Sequence, residues 1–497
     1  MSASAIGTPW APAGPPARPR AMPPAVPVAA AALLGAAIAT RSPVLIVLAL
    51  APLGLAAIAR PTGAVLVFVA GFYLNLPVLV ARDLHLSSAI SLAFALLLLL
   101  PFLAYVVVGR RPFVVTPALA LMVGYLVVLV LSAVIGGGGA PSTVGPIVTF
   151  LGEGLLLYVL VSNVVRTTGQ LRAVMWTLML AGAFMGLISI WQELTHSYHA
   201  TLGGLAQVDA TGFDVQTQLA GVELRPRLAG PIGEKNRYAQ ILLVLVPLAV
   251  SRVRAERERW LRLLAAGCAV LILSGVLLTF SRGAAVAMVL LFVAMAVLGE
   301  LSGRQVLVLA VTMAALVIVV APDYVARVQS LAAVDSALST GSGADGAIVG
   351  RATENLAALY VFRDHPALGV GPGQFFRRYS AIYGNALDLR FLQTNRRAHN
   401  LYLEIAADTG ALGLAAFLAI VGVTMAQLWR LTVFWRRRDE ALASLSRAFL
   451  LAIVAYLATG IFLQLAYERY FWFLLALANA TVWMLRREAV RAESAGG

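Results

Sequence analysis

Apolar runs punctuated by Arg, Pro or Gly recur along the chain at about 26–40, 43–59, 62–80, 87–108, 113–135, 146–165 and 173–192. They return at about 238–251, 261–280, 283–300, 305–321, 411–429, 448–466 and 470–485. A hydrocarbon core about 30 Å thick needs a helix of roughly 20 apolar residues, and most runs are near that length. The pattern predicts an all-α, polytopic helical membrane protein of about 12–14 transmembrane helices, the lower number applying if the first two short runs form a tight hairpin. Two connections, 194–237 and 322–398, are much longer and more polar than the others. Loops of that length are usually functional or unstructured, so these two are the expected site-bearing surface.

The expected organisation is a disordered Pro/Ala-rich tail at 1–25, N-terminal membrane helices at 26–193 and a first long loop at 194–237. Central membrane helices follow at 238–321, then a second long loop at 322–398 with the active-site elements, C-terminal membrane helices at 399–485 and a tail at 486–497. No soluble domain or internal repeat is visible.

Composition narrows the class. Hydrophobic residues make up 60% of the 497 and charged residues only 12%, about half the usual share on a soluble globular protein. A soluble enzyme, a disordered protein and a secreted disulfide scaffold are excluded. The formal net charge of +14 would suggest nucleic acid in a soluble protein, but here it reads as a topology signal. Assigning alternate loops to two sides gathers Arg60, Arg110, Arg111, Arg166, Arg172, Arg252, Arg254, Arg257, Arg259, Arg304 and 436–438 on one face with both tails. Arg41, Arg82, Arg282 and Arg469 remain on the other. The positive-inside bias then puts both termini in the cytoplasm and both long loops outside it. Cys268 is the only cysteine and lies in an apolar run, leaving neither a disulfide nor a thiolate metal site. The first 25 residues lack the layout of a cleaved signal.

Candidate chemistry sits at the outer boundary. Arg282, in Thr279-Phe280-Ser281-Arg282-Gly283, lies between two spans with almost no loop to spare. A buried arginine there costs up to about 2.5–3.5 kcal/mol unless it snorkels to headgroups or meets an anion, and both readings stand. The first long loop closes with Arg225-Pro226-Arg227 and Gly230-Pro231-Ile232-Gly233-Glu234-Lys235-Asn236-Arg237. These positive residues run against the topological bias; either the loop end is solvated or it meets a phosphate or anionic lipid.

The second loop contains Arg351, then an amphipathic stretch from Thr353 to Arg363 whose Leu356, Leu359, Tyr360 and Phe362 predict an apolar stripe on the membrane surface or against the bundle. Gly369-Val370-Gly371-Pro372-Gly373 reads as a turn without the spacing of a nucleotide-binding fingerprint. The loop ends in Arg396-Arg397-Ala398-His399-Asn400, followed by Glu404 and Asp408. Asn400 is a predicted N-cap, Glu404 an early-turn carboxylate, and His399 begins the helix that re-enters the membrane. A lone histidine serves structure or proton transfer; the imidazole's neutral-pH chemistry and its arginine neighbours make the second a candidate. Glu404 and Asp408 are alternative bases, although their spacing also suits capping and packing. His196 and His199 lack convincing carboxylate partners, so no metal site is expected.

Together these motifs resemble the O-antigen ligase and O-antigen polymerase superfamily of bacterial inner-membrane glycosyltransferases. The matching features are Ser281-Arg282-Gly283, Arg351 with Asp364-His365-Pro366 and Gly369 to Phe375, and His399-Asn400-Leu401-Tyr402-Leu403-Glu404 through Gly410 and Gly413, with Gly230 to Gly233 and Asn236-Arg237 before a span. The resemblance covers about 225–425. It implies a lipid-sugar glycosyltransferase-like helical fold with an active site open to the periplasm. It also implies an undecaprenyl diphosphate-linked glycan donor and transfer to a saccharide hydroxyl on lipid A-core or a growing polysaccharide, with inversion and without metal, nucleotide or other cofactor. By the same resemblance Arg282, Arg351 and His399 are catalytic, and Arg237, Asn236, Asn400 and Glu404 contact substrate. The partners implied are the donor, the acceptor and the bilayer, with no nucleic acid. A flippase of lipid-linked glycans is the alternative, and it would be expected to carry an internal inverted repeat.

Overall fold

A computed structural model describes residues 60–83, 89–136, 140–217, 221–301, 303–320, 346–387, 395–464 and 469–496. The expected tail at 1–25, the apolar runs at 26–40 and 43–59, and parts of the second long loop lie outside the described residues. The other twelve predicted runs coincide with helices.

The first are α1 (Pro61–Tyr73), α2 (Leu76–Asp83), α3 (Ala89–Leu103), α4 (Pro117–Ile135), α5 (Ala140–Thr149), α6 (Leu157–Val164) and α7 (Thr168–Thr195). Internal prolines Pro101 and Pro146 lie in α3 and α5, and a π-helical segment begins a few residues after each, at Ala104–Val108 and Phe150–Leu156. A proline removes a backbone donor and crowds the preceding turn, which makes such local rewinding understandable. Then come α8 (Lys235–Leu243), α9 (Val246–Ala255), α10 (Arg259–Leu277), α11 (Arg282–Val297) and α12 (Gly303–Val320). The last group is α13 (Gly346–Asp364), α14 (Ser380–Ala386), α15 (Leu401–Trp435), α16 (Glu440–Gly460) and α17 (Arg469–Gly496).

Among the described residues seven helices, counting α8 with α9 and the broken α5 to α6 helix as one each, are long and apolar enough to cross a membrane. An eighth is the α1–α2 pair, bent by 60°. The sequence-based expectation of 12–14 counted every apolar run. Runs such as those forming α11 and the 303–315 part of α12 are shorter apolar helices by that measure. The outside of the bundle is apolar: α4 exposes Val123, Val127, Val130 and Val134. Such a stripe would be an aggregation liability in water and is ordinary against lipid chains. The centre is aromatic, with Phe150, Phe417, Phe471 and Trp472 in mutual ring contact. The chain is an all-α polytopic membrane protein.

The described parts of the two long connections carry secondary structure. The first contains an antiparallel hairpin, β1 (Gln207–Thr217) paired with β2 (Gly221–Gly230). Its base is fastened to the bundle by an ion pair from Lys235 Nζ to Asp209 Oδ1 at 3.0 Å. In the second, α13 packs on α15. It buries Glu354, Ala357, Ala358 and Val361, leaving Leu356 and Leu359 on the exposed side. Of the two placements expected for the stripe, the membrane surface or the bundle, Leu356 and Leu359 do not take the bundle. Small alanines let the two helix backbones approach.

Candidate active site

Two helix starts meet at one end of the bundle. The N-cap of α8 is Glu234, whose carboxylate accepts the backbone N–H of Asn236 at 3.0 Å and of Arg237 at 2.8 Å. The N-cap of α11 is Ser281, whose hydroxyl accepts from the Ala284 N–H and donates to Asn236 Oδ1 at 2.8 Å. That bond ties the two caps together. Phe280, just before the cap, has a left-handed backbone (φ 49°), which turns the chain sharply from α10 into α11. Arg227 from β2 fixes this turn, donating Nε to the Thr279 carbonyl at 3.1 Å and Nη2 to the Phe280 carbonyl at 3.0 Å. Those two carbonyls take up two of the N–H groups of this buried arginine.

A pocket opens beside the joined caps, lined by Asn236, Ser281, Gly283, Arg351, Thr459 and Phe462, among others. Arg282 is buried between two of these lining residues, at the first position of α11. Arg237 is half-buried in the first turn of α8. Thr459, near the end of α16, accepts from Gln240 Nε2 at 2.6 Å. The N–H groups of Asn236, Arg237 and Ala284 are taken by the capping side chains, so what is gathered near the pocket is guanidinium groups, Arg351 in its lining with Arg282 and Arg237 in the adjoining first turns. Forked donors of that kind suit phosphate oxygens.

His399 stands at the neighbouring start of α15. Asn400 caps that helix as predicted, its Oδ1 accepting from the Tyr402 and Leu403 N–H groups at 3.0 and 3.1 Å. Leu401 lies against Gly460, and Tyr402 donates its hydroxyl to the Leu457 carbonyl at 3.0 Å, so the cap abuts the part of α16 that borders the pocket. The His399 backbone is left-handed, φ 47°. Its Nδ1 lies 2.8 Å from Glu354 Oε2 and 3.2 Å from the Arg397 carbonyl oxygen. Arg351 and Glu354 are three residues apart on α13, hence on one face. A single helix face therefore connects the pocket to the histidine. Glu354 was not singled out from the sequence; its signal was a lone carboxylate one turn beyond Arg351 in an otherwise apolar stretch.

The two other carboxylates of α15 hold the surrounding chain. Glu404 accepts Arg397 Nη1 at 3.0 Å and the Ala398 N–H at 3.1 Å, fixing the backbone that leads into His399. Asp408 accepts the Gly373 and Phe375 N–H groups at 2.8 and 2.9 Å. It thereby pins the glycine turn, in which Gly369, Gly371 and Gly373 all have positive φ. Upstream, Tyr383 donates to Asp364 at 2.7 Å, and burial together with that carboxylate pushes the phenol up to about 12. His365 packs its ring edge-on against Tyr379. Among the described residues no group of three or more His, Cys, Asp or Glu is placed to hold a metal ion.

The turn presses on a break in α15. Gly410 has φ 67° and ψ −168°, and a Cβ there would come within 2.3 Å of the Ala367 backbone. Pro366 and Ala367 carbonyls accept the Ala411 and Leu412 N–H groups across this contact. Gly410→Ala is expected to cost at least about 2 kcal/mol, from left-handed strain and overlap. The check is the thermal midpoint of the detergent-solubilised protein; an unchanged midpoint would contradict the close approach.

Residues 267–418 match the sequence model of a family described as O-antigen ligase. No curated protein matches the chain. The matched region includes Arg282, Arg351, His399, Asn400 and Glu404, while Asn236 and Arg237 precede it.

Proposed function

We propose, from the match of residues 267–418 to the O-antigen ligase family, that this chain acts as a member of the O-antigen ligase and polymerase superfamily. It moves a glycan from undecaprenyl diphosphate to a saccharide hydroxyl on lipid A-core or a growing polysaccharide, at the periplasmic face of the bacterial inner membrane. Both termini are cytoplasmic in this reading, as the arginine distribution supports. The observation that carries it is the shared face of α13, which joins the Arg351 side of the pocket to His399 through Glu354.

A diphosphate is already a good leaving group. The enzyme's work is to hold it, to neutralise the charge that develops on it, and to place the acceptor hydroxyl in line with the anomeric carbon. Arg282 and Arg351 do the first two, and a desolvated site strengthens each contact. Arg237 and Asn236 extend the cationic and polar wall on the α8 side. His399 takes the proton of the acceptor hydroxyl as that oxygen attacks, inverting the anomeric configuration. Asn400 and Glu404 serve this chemistry by fixing the chain on either side of the histidine. No metal, nucleotide or other cofactor takes part.

The test is incubation of the purified protein with an undecaprenyl diphosphate-linked glycan and two acceptors, lipid A-core and a second lipid-linked glycan, with products resolved by mass. Glycan on lipid A-core is the expected product of a ligase, and a lengthened lipid-linked glycan that of a polymerase. Absence of any product, with lipid-linked units accumulating on the cytoplasmic face of a deletion strain, would overturn the reading in favour of a flippase.

A further inference from the structure

We propose that Glu354 is a positioning residue for the transfer: it holds His399 in the Nδ1–H tautomer and supplies the counter-charge when the imidazole is protonated. The inference rests on the reading of His399 as proton acceptor and adds the group that makes that role possible.

The argument begins with what surrounds one nitrogen. Two oxygens converge on His399 Nδ1, the Glu354 carboxylate at 2.8 Å and the Arg397 carbonyl at 3.2 Å. A carboxylate and a carbonyl are acceptors only, so the nitrogen between them is the one that carries the ring proton. The lone pair is thereby left on Nε2, the one ring nitrogen that can accept a proton from substrate. Without Glu354 the imidazole keeps only the longer carbonyl contact, and both tautomer and ring orientation lose their main restraint.

Burial and charge point the same way. The Glu354 side chain is 2% exposed, whereas that of His399 is 32% exposed. The carboxylate is thus hidden behind the imidazole, and the ring keeps an open side. A carboxylate taken out of water for one ring is a poor source of stability, since its desolvation offsets much of what the pair returns. Its use is geometric. The charged neighbours of the pair are Arg396, whose Nη1 is 3.7 Å from Glu354 Oε1, and Arg397 with its partner Glu404 at the start of α15. On α13 itself Arg351 lies one turn before Glu354. The left-handed backbone of His399 adds a further sign that its orientation is imposed, because such a conformation persists only where the surroundings over-determine it.

In the step itself the acceptor hydroxyl oxygen forms its bond to the anomeric carbon while the bond from that carbon to the diphosphate oxygen breaks. The bonding pair leaves with the diphosphate. The hydroxyl proton passes to His399 Nε2, the resulting imidazolium faces Glu354 through Nδ1–H, and the proton then goes to water. Glu354 takes no proton and touches no substrate.

The experiment compares wild type, Glu354→Gln, His399→Ala and the double variant, as full-length protein in detergent, with an undecaprenyl diphosphate-linked glycan as donor and the acceptor that supports transfer in the product assay. Glu354→Gln is expected to lower kcat at least about 10²-fold, with donor KM within about threefold and a thermal midpoint near that of wild type. The double variant is expected to be no slower than His399→Ala, since Glu354 acts only through that ring. An unchanged kcat, a loss confined to KM, or a double variant much slower than His399→Ala would overturn the inference. So would a Glu354→Gln protein that cannot fold, which would make the residue part of the scaffold. Full activity in His399→Ala would instead remove the mechanism under the proposed function, a separate outcome.

Discussion

His399→Ala is expected to reduce transfer by about 10²- to 10⁴-fold, the range that general-base assistance typically contributes, with donor binding largely kept. The expectation follows from the site's division of labour. In the proposed site the arginines assigned to the diphosphate sit at the start of α11 and on α13, outside the loop that carries the imidazole. The α15 cap is held by Asn400 and the preceding loop by Glu404, so removing the ring leaves the backbone around it supported. The measurement is single-turnover transfer together with retention of the labelled donor on the purified protein. A variant that inserts normally and transfers at the wild-type rate would show that His399 takes no proton in the slow step.

Arg351→Ala is expected to fail differently, by losing kcat/KM for the donor. One charge-assisted contact to a phosphate is worth about 1.5–3 kcal/mol, which corresponds to about 10- to 160-fold in kcat/KM. Arg282→Ala should behave alike. Arg351→Lys should recover little, because an ammonium cannot present the paired donors of the guanidinium fork. Steady-state kinetics over a range of donor concentrations would check this. A loss seen only at limiting acceptor, with donor dependence unchanged, would place Arg351 on the acceptor side instead.

Much of the local architecture was readable along the chain. Twelve apolar runs became helices, Asn400 became an N-cap, and the glycine-rich segment from Gly369 to Gly373 became a turn with positive φ at each glycine. These are properties of a few consecutive residues. Length and apolarity decide whether a segment is helical in a bilayer, and a side-chain acceptor before a helix satisfies its own neighbours' N–H groups. Arg282, Arg351 and His399 also stood out along the chain as polar groups beside apolar runs, and the structure puts Arg351 in the pocket lining and His399 on Glu354.

What the chain did not reveal depends on partners far away in sequence. Arg227 is occupied by carbonyls 52 and 53 residues away, and Asp408 holds N–H groups 33 and 35 residues before it. The hairpin in the first long loop takes its anchorage from Lys235. The face of α13 that packs on α15 carries Glu354 and alanines, with Leu356 and Leu359 outward, and the apolar stripe alone left open which of the two faces would pack. The physical reason is that a membrane protein has two apolar destinations. In water an apolar side chain marks the inside, but beside lipid a leucine is equally at home outward, so small residues and polar partners choose which face meets a neighbouring helix. The sequence by itself determined which segments form apolar helices and where the charges between them lie; only packing decided which of those helices are long enough to span and that Glu354 would meet His399.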